Sequence, residues 1–150
     1  MRLRSGRRSG TTVVECAVIY PLVFLLMLGL IIGAIGIFRY QELASLSRRA
    51  ARYAAVHGTQ YAADTGNPAA TPQDIYNNAI QPYAVAFNLN QLNYAVTWNA
   101  SNQPFQATVV NNYPVANRNT VTVTVTYQWI PEAFLGGITL RSTSVLPMSY

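Results

Sequence analysis

The sequence predicts an α+β protein. A long N-terminal helix, transmembrane in its first half and amphipathic in its second, packs on a small antiparallel β-sheet. Three observations carry this reading. A charge-free apolar run occupies residues 16–38. Helical spacing of apolar residues then continues to Ala54, and no Pro or Gly interrupts it before Gly58. Near the other end, residues 120–129 alternate strictly between apolar side chains and Thr or Gln.

The first ten residues, MRLRSGRRSG, hold four Arg and no acid. They have no apolar periodicity and are expected to be a disordered leader, residues 1–10. From Thr11 onward six Arg face five acids, so the basicity sits at the flanks of the apolar run. That distribution excludes a nucleic-acid-binding face, which would concentrate Arg on the folded domain. Both flanks of the run are basic, so counting Arg does not settle which way it crosses a membrane.

At 1.5 Å per residue the 23-residue run 16–38 would reach roughly 34 Å, against a hydrocarbon core of about 30 Å. It is long enough to cross the lipid bilayer once. Pro21 is expected to kink this helix, which membrane helices tolerate. Gly29, Gly33 and Gly36 leave one side bare. The Gly29-x-x-x-Gly33 spacing lets helices approach closely, so these glycines are candidates for helix packing. Cys16, the one cysteine, cannot form an internal disulfide or supply a metal cluster. Glu15 before it is unlike the small residue of a lipoprotein cleavage site.

Past Phe38, Tyr40, Leu43, Ala44, Leu46, Ala50, Ala51 and Ala54 recur at helical spacing among Arg39, Glu42, Ser45, Arg48, Arg49 and Arg52. One helix over residues 13–56 is expected, with residues 11–57 as the long-helix segment. Its exposed half needs a cover, which residues 58–150 would supply as an extracytoplasmic domain. There a loop opens the domain. Thr71-Pro72-Gln73-Asp74 then reads as a helix start, with Thr71 capping and Asp74 three residues on. Ile75, Ala79, Ile80 and Tyr83 make its apolar stripe, and Pro82 a terminator. Strands are expected at 92–98, 105–109, 120–129 and 138–146, in one sheet of three or four. Loop 111–119 and turn 131–137 would separate them. Ten residues of alternation imply a strand buried on one face only, as in antiparallel sheets.

Nothing in the chain reads as catalytic machinery. His57 is the single histidine, no Gly-rich phosphate loop follows a strand, and no Gly-x-Ser-x-Gly is present. No enzyme activity, cofactor or metal is expected. Glu15 stands out instead. It is a carboxylate beside the apolar run with no cation within helical reach inside the segment, where an unpaired charge is costly. Taken alone it would be a boundary residue snorkelling to the headgroups, favoured by the helix dipole.

The spacing around Glu15 resembles a type IV prepilin signal: a basic leader, Gly10, four residues, Glu15, and a long apolar helix. More specifically the chain resembles the TadE-like pseudopilins of the tight-adherence (Flp pilus) system. The residues that carry the resemblance are VECAVIYPL at 14–22 and SRRAARYAA at 47–55. The strand–turn–strand pattern of residues 121–145 adds to it. Cys16 stands where the family usually has an aromatic residue, and residues 29–38 lack the second membrane carboxylate often found there. The resemblance implies a pilin-like fold and a minor pilin-like role in pilus or secretion-machine assembly. It implies cleavage by a prepilin peptidase between Gly10 and Thr11. Glu15 would then pair with the freed amine of a neighbouring subunit's Thr11, other pilins or pseudopilins being the partners. The protein would sit in a bacterial inner membrane with its C-terminal domain outside the cytoplasm, entry into the filament itself being left open. The competing reading is a signal-anchored binding or adhesin-like module unrelated to pili. A secreted protein with a removable signal peptide ranks below both, because the apolar run is too long for an ordinary signal.

Overall fold

The structure is a computed structural model that describes residues 9–131 and 136–149. Helix α1 (Ser9–Val56) opens the chain, followed by α2 (Thr59–Thr65) and α3 (Pro72–Ile75). A π-helical turn Tyr76–Ile80 and 3-10 turns Gln81–Tyr83 and Leu89–Gln91 lead to strands β1 (Leu92–Trp98), β2 (Phe105–Val110), β3 (Tyr113–Arg118), β4 (Thr120–Trp129) and β5 (Ile138–Pro147). The fold is α+β, as expected. The chain divides into two compact units, Met1–Ile37 and Phe38–Tyr150.

Helix α1 starts four residues before the expected Val13, so Ser9 and Gly10 of the expected leader are helical; residues 1–8 lie outside the described residues. Gly and Thr are poor helix formers, but a nucleated helix gains a hydrogen bond for each residue it adds. Pro21 lies inside α1 and does not end it. In Met1–Ile37 the side chains described from Thr12 on are exposed or half-exposed.

The second unit has its core between the C-terminal part of α1 and a three-stranded antiparallel sheet of order β1-β4-β5. Leu43, Leu46, Ala50, Ala51 and Ala54 are buried on the helix, and Val121, Val123, Val125, Tyr127 and Trp129 on β4. The short side chains let the helix axis come close to the sheet. Ser47 and Ser142, both buried, meet at 2.9 Å between hydroxyls, so these two polar groups satisfy one another within the layer. Here α1 and β4 run in opposite directions. Arg39 lies over the Tyr127 ring, 6.0 Å from its centroid. At the far end Ala55 accepts from Ser149 N–H, and neighbouring Met148 N–H donates to Asn119, next to the start of β4. Sixteen residues of helix and eight of strand both cover roughly 25 Å, which lets the two elements match end to end.

The sheet differs from expectation in one respect. Strand 105–109 does not join it. It pairs with β3, within the expected loop 111–119, to make a separate two-stranded sheet. Asn111 and Asn112, at φ 51° and 66°, form the tight turn between them; Asn tolerates this left-handed region and matches the strand twist there. Pro114 and Asn117 are disfavoured in strands, which hid β3, but a two-stranded ribbon has only edges, where Pro is accepted. The expected loop at 59–70 contains α2, closed by Gly66 at φ 75°. The expected helix from Thr71 begins as predicted, with a complete capping box between Thr71 and Asp74. It then loosens into π and 3-10 turns because Pro82 offers no N–H to the Asn78 carbonyl and its ring collides with that carbonyl. Of the expected turn 131–137, residues 132–135 lie outside the described residues.

Two predictions follow from this packing. Val123 is fully buried at the middle of β4, so Val123→Asp buries an unpaired charge and should cost about 4–5 kcal/mol or more, comparable with the whole stability of a small domain. Thr122→Asp, on the opposite face, should cost about 1 kcal/mol or less. Limited proteolysis of the detergent-solubilised chain separates the two: rapid loss of the domain for Val123→Asp, wild-type resistance for Thr122→Asp. The second concerns Asp74. Hydrogen bonds from the Thr71 side chain and then the Thr71 backbone hold its carboxyl below the ordinary carboxylate range. A depressed folded pKa means that the unfolded chain binds the proton more tightly. The cap's contribution is therefore present above the ordinary Asp range and is lost as pH falls through the lower, folded value. Thr71→Ala should lower the melting temperature at neutral pH and flatten its acid-side decline, measured by circular dichroism from pH 7 to 2.

Candidate functional site

The residues expected to matter for processing and assembly lie on the first turns of α1. Gly10 is exposed and helical, with open space where a Cβ would stand. Thr11 follows it in the helix. Glu15, four residues beyond Thr11, is on the same helical face, about 6 Å along the axis. Its side chain is exposed and carries no ion pair or hydrogen bond among the described residues. Around it Val13, Val14, Val18 and Ile19 are exposed apolar side chains. The arrangement is a bare carboxylate on an apolar cylinder, available to a cation from outside the chain.

About four turns beyond Glu15, Gly29 and Gly33 have open space where a Cβ would stand, and Gly36 is half-exposed on the same side. Leu22, Leu25, Leu26, Leu30 and Ile37 stand around the first two glycines, so the helix bears an apolar groove of about 660 Å³ with a glycine floor. Cys16 is half-exposed and free.

In the second unit, sequence reasoning missed a cleft of about 630 Å³ between α1 and the segment after α3. Arg48, Arg49 and Arg52 line one side, and Asn78, Ala79 and Tyr83 the other. Arg49 lies over the Tyr83 ring at 4.4 Å, a cation–π contact. Tyr53 and His57, one turn apart, stack at 3.9 Å, and His57 Nδ1 lies 2.9 Å from the Tyr53 carbonyl. Burial, then the nearby Asp74 charge, raises the Tyr53 hydroxyl above its ordinary range. The three arginines carry no ion pair among the described residues. The sequence showed the arginine cluster; its pairing with Tyr83 depends on a contact 34 positions apart, which no local pattern encodes. Among the described residues no three of His, Cys, Asp and Glu come together as a metal site would require.

No curated protein and no solved structure matched the chain. A family model did, over the stretch that holds Gly10, Thr11, Glu15, the glycine groove and the arginine cluster. Residues 10–52 match the family described as TadE-like protein, and over that stretch the chain is similar to it.

Proposed function

We propose that the protein is a minor pilin-like subunit that takes part in assembling a tight-adherence type pilus or a related secretion machine. In this reading α1 anchors it in a bacterial inner membrane, with residues 58–150 outside the cytoplasm. A prepilin peptidase removes residues 1–10, and other pilins or pseudopilins of the same system are its neighbours. One observation carries the reading. An unpartnered carboxylate, Glu15, stands on an exposed apolar helix five residues after Gly10, within the segment that is TadE-like.

The physical chemistry supports pairing in assembly. Cleavage after Gly10 would create an ammonium at Thr11. Two unit charges 4 Å apart attract by about 1 kcal/mol in water and about 4 kcal/mol at an effective dielectric constant of 20. Desolvation of both groups offsets much of that gain. The pair would therefore set the axial register between subunits more than it would tighten them. The glycine-floored groove offers a neighbouring helix close approach without polar groups to desolvate.

Mass spectrometry of the mature N-terminus, in cells with an active prepilin peptidase, should find Thr11 as the first residue. Gly10→Leu should leave the leader attached, because a bulky side chain replaces the smallest one at the cut. An intact N-terminus in the wild-type protein would favour the signal-anchored module instead. Glu15→Ala should insert and accumulate like wild type, since removing a charge does not impede insertion, yet its crosslinking to partner pilins should fall several-fold. Unchanged crosslinking would end the charge-pairing mechanism.

A further inference from the structure

We infer that the arginine cleft of the second unit docks an extended, acidic segment of a partner polypeptide, whose carboxylates pair with Arg48 and Arg52. The inference rests neither on the membrane span nor on a role in pili, because every residue of the cleft lies between Ser45 and Tyr83, within one compact unit.

The charge of the cleft calls for an anion. Arg48, Arg49 and Arg52 are exposed. Arg49 is already engaged, at 4.4 Å from the centroid of the Tyr83 ring. Arg48 and Arg52 have no hydrogen bond, ion pair or ring contact among the described residues. They stand four positions apart on α1, so two like charges share one side of the helix about 6 Å apart, an arrangement that weakens the helix unless an anion stands between them. No Asp or Glu lines the cleft. The charge of Asp74 reaches the Tyr53 hydroxyl, but its carboxylate accepts from the backbone and side chain of Thr71 and is fixed in the helix cap. Glu42, on the preceding turn of α1, has its Oε2 buried without a partner. Three guanidinium groups against the one carboxylate of Asp74 leave the site with an excess of positive charge.

The shape sets the class of ligand. On α1 the lining runs from Ser45 to His57, about 18 Å along the axis. A lone oxyanion fills a small part of that length, whereas an extended peptide covers it with about five or six residues. Alternate side chains of such a peptide repeat about every 6.7 Å, close to the roughly 6 Å rise from Arg48 to Arg52. Two acids separated by one residue therefore meet both guanidinium groups, whose planar forks accept a carboxylate bidentately. Side chains pointing the other way meet the opposite wall, where Ala79 and the exposed ring of Tyr83 favour small or apolar groups.

The test uses the full chain in an uncharged maltoside detergent and a fluorescent hexapeptide of alternating Glu and Leu that carries a benzophenone. The Gln–Leu counterpart is the control. Fluorescence anisotropy should show several-fold tighter binding of the Glu peptide, weakening as salt rises. Photo-crosslinks should map to residues 45–57 and 76–83. Arg48→Gln combined with Arg52→Gln should weaken binding several-fold and leave the melting temperature unchanged, since neither side chain has a partner to lose. Arg118→Gln, which removes an arginine outside the cleft, should bind like wild type. Equal affinity for the Glu and Gln peptides would overturn the proposal, as would unchanged affinity in the double variant or crosslinks confined to the Arg-rich residues 1–10. Displacement of the peptide by inorganic phosphate at constant ionic strength would overturn it in favour of a phosphate site. Displacement by phosphatidylglycerol in mixed micelles would overturn it in favour of a lipid headgroup.

Discussion

Burial of one face of α1 against β4 is the constraint from which the rest of the domain follows. The face consists of Leu43, Leu46, Ser47, Ala50, Ala51 and Ala54, and it has no partner within its own helix. A helix with such a stripe is not stable in water alone and gains most of its stability from whatever covers the stripe. The cover is a sheet whose central strand presents Val121, Val123, Val125, Tyr127 and Trp129 on one side. Because four of the six helix residues are Ala or Ser, the contact is close. A large residue at Ala50 or Ala51 would push the helix off the sheet and open the whole layer. Flanking elements then need only seal the edges. The turns around Ile75, Ala79 and Ile80 bury those three side chains on one side, and Ser149 ties the chain end to Ala55 on the other.

Charge is nearly absent from the domain beyond α1, and this shapes how it can meet other surfaces. Residues 58–150 hold five charged residues in 93, and the two described acids, Asp64 and Asp74, take hydrogen bonds from side chains close by in sequence. The outer face of the three-stranded sheet carries Thr120, Thr122, Thr124 and Thr126, with Thr97 and Thr143 beside them. Hydroxyls keep such a face wetted without the long-range repulsion that ionised groups would exert on an approaching protein. The arginine cleft is the contrast. Arg48, Arg49 and Arg52 line it, and the charge of Asp74 reaches Tyr53 in the same lining.

Most of the architecture was legible in the sequence, and the exceptions have physical causes. The apolar run, the end of α1 at Val56, β1, β4 and the Thr71 cap were readable because each is written in side-chain periodicity or in one short-range hydrogen bond. Strand β3 was not, because Pro114 and Asn117 speak against a strand and only pairing with β2 makes it one. Helix α2 was hidden by its length of seven residues, although Gly66 just past its end was the available signal. For the candidate site, Gly10, Glu15 and the glycines were visible as spacing along one helix. The Tyr83 contact to Arg49 and the Ala86 contact to Arg39 join distant segments, and periodicity is silent about those.

Helix α1 thus makes two different demands of its surroundings. In its first half every described side chain from Thr12 on is exposed or half-exposed, so the apolar residues there require a medium that the chain does not provide. In its second half the apolar residues on one face are covered by the chain itself. The change falls at Phe38 and Arg39, where exposure of large apolar side chains gives way to an anchored cation. A purely soluble helix would have no reason to divide in this way, since water penalises exposed Leu equally along its length. Lipid removes that penalty for the first half alone. Within that half Glu15 is the single ionisable carboxylate. Lipid makes its charge costly, and a cation supplied from outside the chain would relieve that cost, which is the physical ground for the pairing proposed for this carboxylate.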